Sequence, residues 1–222
     1  MIELNVKKLL SEANFNPFGE KVTVVAAVKL QDVQSINKAI AAGITDIGDN
    51  HVQEFKSKYD FIEGNPRRHF IGHLQTNKIK YLLGRTDLYH SVDRLNLAEE
   101  LSLRGQNAGI TSEILLQVNI GDETSKSGFS YGEILSAYEK IAVLPSVKIK
   151  GLMAMLPFTD DENLLKKLAV KMRKLYDRLK DCDKNIEYLS MGMSGDWKLC
   201  VQAGSNMIRV GTSIFGERNY NN

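Results

Sequence analysis

The stretch VTVVAAV, residues 22–28, is a run of apolar and β-branched residues that predicts a buried strand. Seven further apolar runs recur along the chain: TDIG (45–48), HFIG (69–72), DLYHSV (87–92), EILLQVNI (113–120), KIKGLMAM (148–155), IEYLSMG (186–192) and MIRVGT (207–212). Segments with helical spacing separate these runs. The clearest is ENLLKKLAVKMRKLYDRLK (162–180), in which one predicted apolar face comprises Leu164, Leu168, Met172, Leu175 and Leu179. We expect its basic residues to form a solvated opposite face.

The alternation of strand and helix predicts an α/β protein built as a (β/α)₈ TIM barrel, slightly shorter than the typical size of about 250 residues. A doubly wound open sheet is the alternative, because an open parallel sheet has the same pattern strand by strand. No linker, short-period repeat or low-complexity tract divides the chain. We therefore expect residues 1–222 to form a single domain.

Composition excludes several classes of function. The 29 basic and 27 acidic residues are interspersed and give a net charge of only +2, which argues against a nucleic-acid partner. Cys182 and Cys200 lack metal-ligand spacing, so we expect two buried thiols and no zinc site. No apolar run approaches the roughly 18 residues that span a bilayer. The amino-terminal segment MIELNVKKLLSEA lacks the continuous apolar centre of an export signal, so we expect a cytoplasmic protein without a membrane partner.

Two glycine-containing segments follow the last two predicted strands, where the reactive groups of TIM barrels lie. They are SMGMSGD (190–196) and RVGTSIFG (209–216). Glycines allow backbone N–H groups to approach a ligand, and a hydroxyl at a helix start suits a phosphate. Alternatively, the glycines only turn the chain and Ser194 and Thr212 are helix N-caps. The expected position of both segments side by side in a barrel favours a phosphate site.

Lys29 ends the first predicted strand, which is the next neighbour of the eighth strand around a closed barrel. Taken alone, Lys29 is typical of a strand-end lysine whose amine reaches solvent. Beside a phosphate site, its amine could form a Schiff base with a phosphorylated aldehyde. No metal site is expected, because His69 and His73 would lie roughly 13 Å apart in an extended segment. Nucleotide-binding and esterase motifs are also missing from the sequence.

Seven segments together resemble the YggS/PROSC family of pyridoxal phosphate homeostasis proteins. They are AVKL (27–30), GDNHVQE (48–54), HFIGHLQTNK (69–78), SKSGF (125–129), GLMAM (151–155), LSMGMSGDW (189–197) and RVGTSIFGERNY (209–220). The resemblance covers nearly the whole chain in the expected order. It implies a barrel similar to the N-terminal domain of alanine racemase, with pyridoxal 5′-phosphate (PLP) as cofactor.

The resemblance also implies roles for individual residues. Lys29 would form the Schiff base, and Asn50 would lie beside the cofactor. Arg209 would point toward the pyridine nitrogen, where a cation disfavours ring protonation and weakens the ring as an electron sink. The phosphate would be held by five residues of the two glycine-containing segments: Met193, Ser194, Gly195, Gly211 and Thr212.

Two positions depart from the family pattern. The family commonly has serine before the lysine and glutamate before the asparagine, whereas this chain has Val28 and Asp49. Neither position is assigned to covalent chemistry, so the cofactor assignment is unaffected. The departures concern how Lys29 is tuned and how Asn50 is held.

The same site could belong to a racemase or to a cofactor carrier. A racemase requires a second base opposite the lysine, which in alanine racemase is a tyrosine of a further β domain. This chain ends at Asn222, soon after the eighth strand. We therefore expect a monomeric protein of PLP homeostasis that stores PLP or delivers it to PLP-dependent apo-enzymes, without an established catalytic activity. The alternatives are a PLP-dependent racemase-like enzyme and a sugar-phosphate barrel that uses Lys29 as an aldolase-type amine.

Overall fold

Eight parallel strands close into a barrel in the computed structural model, which describes residues 1–123 and 126–216. The strands are β1 (Thr23–Ala27), β2 (Asp46–Asp49), β3 (Arg67–Phe70), β4 (Leu88–Val92), β5 (Ser112–Asn119), β6 (Val147–Ala154), β7 (Tyr188–Met191) and β8 (Met207–Val210). Neighbours around the ring pair in the order β4-β3-β2-β1-β8-β7-β6-β5, and pairing of β4 with β5 closes it. The predicted TIM barrel is therefore confirmed, and the open-sheet alternative is wrong. All eight predicted strands are present.

Helices connect the strands along the outside of the barrel. They are α1 (Ile2–Glu12), α2 (Val33–Ala41), α3 (Val52–Lys58), α4 (Leu95–Ala108), α5 (Ile134–Ala142), α6 (Glu162–Cys182), α7 (Trp197–Gln202) and α8 (Thr212–Phe215). Short 3₁₀ helices cover Tyr59–Phe61 and Thr76–Tyr81, and a two-residue strand, Phe129–Ser130, pairs with β5. Helix α1 precedes the barrel and packs against α2 and α8. Ser125 and residues 217–220 of the family-like segments lie outside the described residues.

The apolar core has an outer layer and an inner layer. Between the barrel and its helices lie residues such as Phe55, Ile36 and Tyr176, which are all fully buried. Inside the barrel, the apolar residues are Val25, Leu88, Leu115, Met153 and Met207. Because both faces of each strand are covered, the strands read as continuous apolar runs in the sequence.

Helix α6 buries most of the predicted face, since Met172, Leu175 and Leu179 are all buried. The prediction is wrong at the amino-terminal end of the face, where Leu164 is 39% exposed and Leu165 is buried instead. Arg173 is also buried on this helix, where its guanidinium pairs with Glu20 at 2.6 Å between Nη1 and Oε2. The basic face is therefore not entirely solvated, because this ion pair ties α6 to the loop before β1.

The cysteine prediction is half right. Cys200 on α7 is buried, but Cys182 is exposed because it is the last residue of α6. In the part of the chain that the structure describes, no helix is both long and apolar enough to cross a membrane.

Candidate functional site

A cavity of about 640 Å³ opens at the carboxyl ends of the strands. All eight residues predicted to bind the cofactor line it: Lys29, Asn50, Met193, Ser194, Gly195, Arg209, Gly211 and Thr212. They follow or end strands β1, β2, β7 and β8, so closure of the barrel is what brings them together. A smaller pocket of about 310 Å³ lies at the amino ends of β1, β7 and β8, among charged residues that include Glu20 and Lys180.

Lys29 lies in the turn after β1 and is half-buried at the cavity wall. The backbone on both sides of it is held from helix α3. The N–H of Leu30 donates to Glu54 Oε2 at 2.8 Å, and Lys58 Nζ donates to the carbonyl of Val28 at 3.2 Å. Lys58 Nζ also donates to Glu54 Oε2 at 3.0 Å. The Glu54–Lys58 pair therefore clamps the turn without contacting the Lys29 amine.

Asn50 follows β2 and lies against the chain that leaves β3. A side chain at Gly72 would place its Cβ 2.0 Å from the backbone oxygen of Asn50, so only glycine allows this approach. The adjacent Ile71 also lines the cavity. Asn50 is thus positioned by its backbone, between two neighbouring strand ends.

Asp49, the predicted departure from the family pattern, does not line the cavity. It is buried, and its Oδ1 has no hydrogen-bond partner among the described residues. Burial raises the pKa of the Asp49 carboxyl to about 6, an effect that the nearby Lys58 charge partly offsets. The buried Oδ1 of Asp49 therefore does not hold Asn50 through a hydrogen bond.

The segments after β7 and β8 meet at one side of the cavity. The N–H of Gly211 donates to Ser194 Oγ at 3.3 Å, and the N–H of Met193 donates to Asp196 Oδ1 at 2.6 Å. The N–H groups of Ser194 and Gly195 donate to no other described residue. A Cβ at Gly195 would meet nothing within 4 Å, so open space adjoins this residue.

Arg209 enters the cavity from inside the barrel. It is buried on β8, and burial lowers the pKa of its guanidinium to about 10. Its Nη1 donates to the carbonyl of Ser190 at 2.9 Å and to Ser190 Oγ at 2.6 Å. Its Nη2 donates to the carbonyl of Ala154 at 3.0 Å. The guanidinium is therefore fixed between β6 and β7.

The segment between β6 and α6 forms the remaining wall of the cavity, which the sequence did not predict. Met155, Leu156, Pro157, Phe158, Thr159 and Asp160 all line it. The Phe158 side chain is fully exposed at the rim. Only the position of this segment, directly after the strand GLMAM, could have indicated it.

The two histidines that were compared as metal ligands lie in different surroundings. His69 is fully buried inside the barrel and contacts Asp46 and His90. His73 lies beyond the end of β3, and its half-exposed ring lies 3.0 Å from Asp93 through Nδ1. The two rings therefore do not share a site.

Comparisons with known proteins agree with this geometry. The alanine racemase N-terminal domain family matches residues 2–219. The pyridoxal phosphate homeostasis protein of Aquifex aeolicus is 37% identical over 89% of this chain and 87% of its own. The protein of the same name from Haemophilus influenzae is 35% identical over 99% of this chain and 94% of its own.

Solved structures give the same result. PipY of Synechococcus elongatus, solved without PLP, is 30% identical with a TM-score of 0.88 and covers 97% of this chain and 100% of its own. The PipY structure with PLP bound is 29% identical, with a TM-score of 0.85 and the same coverage. Alanine racemase from Corynebacterium glutamicum shares the fold at 14% identity and a TM-score of 0.76. The chain therefore belongs to the alanine racemase N-terminal domain family and, within it, to the pyridoxal phosphate homeostasis proteins.

Proposed function

We propose that this protein binds PLP in the 640 Å³ cavity through Lys29 and takes part in PLP homeostasis, by storing or delivering the cofactor. The observation that carries the proposal is the convergence on one cavity of an amine, a buried guanidinium and backbone N–H groups that no described residue accepts from. The relative PipY, which has the same fold, has been solved with PLP bound.

The residues present fit the chemistry of PLP. The open space beside Gly195 and the free N–H groups of Ser194 and Gly195 suit a phosphate, because they place donors and no bulk at one point. The hydroxyls of Ser194 and Thr212 line the same side of the cavity. Lys29, on the neighbouring strand β1, supplies the amine for an aldehyde carbon.

PLP supplies an aldehyde for covalent attachment and a ring that can act as an electron sink. Lys29 would bind the aldehyde carbon, and the Glu54–Lys58 clamp holds the turn that presents its amine. Arg209 is fixed by its bonds to Ser190 and Ala154 and would place a cation near the ring of the bound cofactor. A cation there would oppose protonation of the pyridine nitrogen and so weaken the ring as an electron sink.

The proposal also extends beyond this site. We propose that the chain works as a single PLP-binding barrel domain, as a monomer in the cytoplasm, and that PLP-dependent apo-enzymes receive the cofactor. The names of its relatives support a role in homeostasis. Rapid and stereochemically complete racemisation of an amino acid by the purified protein would contradict the carrier role.

Borohydride trapping tests the proposal directly. Protein incubated with PLP should gain a visible absorption band, and reduction followed by peptide mapping should locate the label on Lys29. The Lys29→Ala variant should lose both the band and the label, whereas Lys38→Ala, at an exposed lysine of α2, should keep both. A reducible label that survives in Lys29→Ala would overturn the assignment.

A further inference from the structure

A continuous line of hydrogen bonds inside the barrel ends on Arg209. Asp46 Oδ1 lies 2.9 Å from His69 Nε2, and His69 Nδ1 lies 2.8 Å from His90 Nε2. His90 Nδ1 lies 3.1 Å from Ser190 Oγ, which accepts from Arg209 Nη1 at 2.6 Å. The line passes from β2 to β3 and β4, and then crosses the barrel to β7 and β8. We call these five residues the interior chain.

Each bond of the interior chain has only one possible direction if both histidines are neutral. A guanidinium can only donate and a carboxylate can only accept, so the two ends are fixed. His69 must then donate from Nε2 to Asp46 and accept at Nδ1. His90 must in turn donate from Nε2 to His69 and accept at Nδ1 from the Ser190 hydroxyl.

The surroundings support these charge states. Burial lowers the pKa of His69 and lowers that of His90 well below the usual value, so both rings are neutral at pH 7. Burial opposes the charge on Asp46, but hydrogen bonds from His69 and Thr45 outweigh it and lower the pKa of the Asp46 carboxyl. The interior chain therefore runs from a cation to an anion through two neutral rings and a hydroxyl.

Among residues 1–123 and 126–216, Arg209 forms no ion pair with a carboxylate, and Asp196 acts on its charge only through space. A buried guanidinium without a direct counter-ion is costly unless polarised groups stabilise it. Asp46 is the negative charge to which the hydrogen bonds lead.

We propose that Asp46, His69, His90 and Ser190 are positioning residues for Arg209, which fix its forked guanidinium at the cavity and connect its charge to a distant carboxylate. The relevance of this arrangement to PLP rests on the proposed function. The arrangement itself belongs to the protein without cofactor, so it can be tested there.

Nitrogen NMR of the histidine rings in the cofactor-free protein tests the direction of the interior chain. Both His69 and His90 should be neutral with the proton on Nε2 at pH 7. Single replacements of His51 and His73, whose rings are half-exposed, assign the other two signals. A proton on Nδ1 of either buried ring, or a doubly protonated ring, would overturn the proposal. This measurement leaves all five residues of the interior chain unchanged.

Ser190→Ala tests whether the interior chain positions Arg209. Loss of the hydroxyl should broaden the guanidinium N–H signals of Arg209 and weaken PLP binding about tenfold, the size expected for a hydrogen bond to a charged group. Ser102→Ala is the matched control, because this buried serine on α4 bonds only to the Pro145 carbonyl and the Gln106 amide. Unchanged Arg209 signals in Ser190→Ala would contradict the positioning role.

The two proposals can fail separately. If borohydride labels Lys29 but a buried ring carries its proton on Nδ1, the PLP site stands and the interior chain is wrong. If the rings and Arg209 behave as expected but no label reaches Lys29, the interior chain stands and the PLP assignment is wrong.

Discussion

The two cations of the cavity, Lys29 and Arg209, are held in opposite ways. Lys29 is held from outside the barrel, through the backbone on either side of it, and no described residue hydrogen-bonds its amine. Arg209 is held from inside the barrel by direct bonds to its guanidinium. Under the proposed function, the difference matches two chemical tasks. An amine that must form and break a covalent bond has to stay free, whereas a cation that sets the electrostatics of a ring has to stay fixed.

The largest effect on PLP binding is expected at Arg209. Arg209→Lys should weaken PLP binding at least a hundredfold, measured by fluorescence titration, because one ammonium cannot reproduce the fork that bonds Ser190 and Ala154. Borohydride should still label Lys29 at saturating PLP, since the amine is held independently. Binding within threefold of the wild type would show that the fork is not required.

The two carboxylates of β2 extend the comparison, because Asp46 belongs to the interior chain and Asp49 lies outside the cavity with an unpaired oxygen. The folded-state pKa of Asp49, about 6, exceeds its unfolded value, so the wild type loses stability as the pH rises from about 4 to 6. Asp49→Asn should therefore be more stable than the wild type at pH 7, by up to about 3 kcal/mol, and equal to it below pH 4. Urea unfolding at several pH values measures this.

Asp46→Asn should show the opposite sign in the same experiment. The folded-state pKa of Asp46 is lowered, so its contribution is present above the unfolded pKa and is lost as the pH falls through the folded value. This variant should be less stable than the wild type at pH 7, and the difference should shrink in acid. If the stability of both variants changed with pH in the same way, the proposed difference between Asp46 and Asp49 would be wrong.

A smaller effect on PLP binding is expected at the Glu54–Lys58 clamp. Glu54→Ala removes the acceptor for the Leu30 N–H and should weaken PLP binding about tenfold, or about 1.4 kcal/mol. Glu54→Gln keeps an acceptor oxygen and should recover most of the loss. If both variants bind PLP equally weakly, the charge of Glu54 matters rather than its bond to the turn.

The smallest effect is expected at Leu30, which has φ of 60° and a side chain that is 60% exposed. A left-handed conformation costs roughly 1–2 kcal/mol for a residue with a side chain, and glycine loses roughly 0.5–1 kcal/mol through greater freedom when unfolded. Leu30→Gly should therefore stabilise the fold slightly, by about 0.5 kcal/mol in urea unfolding. A clear destabilisation would show that the leucine side chain contributes contacts to the turn.

The sequence was sufficient to predict the barrel and to predict that Lys29 and Arg209 line one cavity. Apolar runs predict strands whose two faces are both covered, and glycines beside hydroxyls predict an anion site. The same continuous runs hide which side chains point inward, so Asp46, His90 and Ser190 could not be placed. The clamp of Glu54 and Lys58 depends on how α3 packs against the turn, which no local pattern encodes. Leu164 was misplaced because neighbouring leucines fit the helical period almost equally well.

A crystal structure of the protein with PLP tests the central claim most directly. It should show density continuous with Lys29 Nζ, the phosphate beside Ser194, Gly195 and Thr212, and the ring edge against Arg209. Density for PLP at the opposite end of the barrel, in the pocket lined by Glu20 and Lys180, would contradict the account.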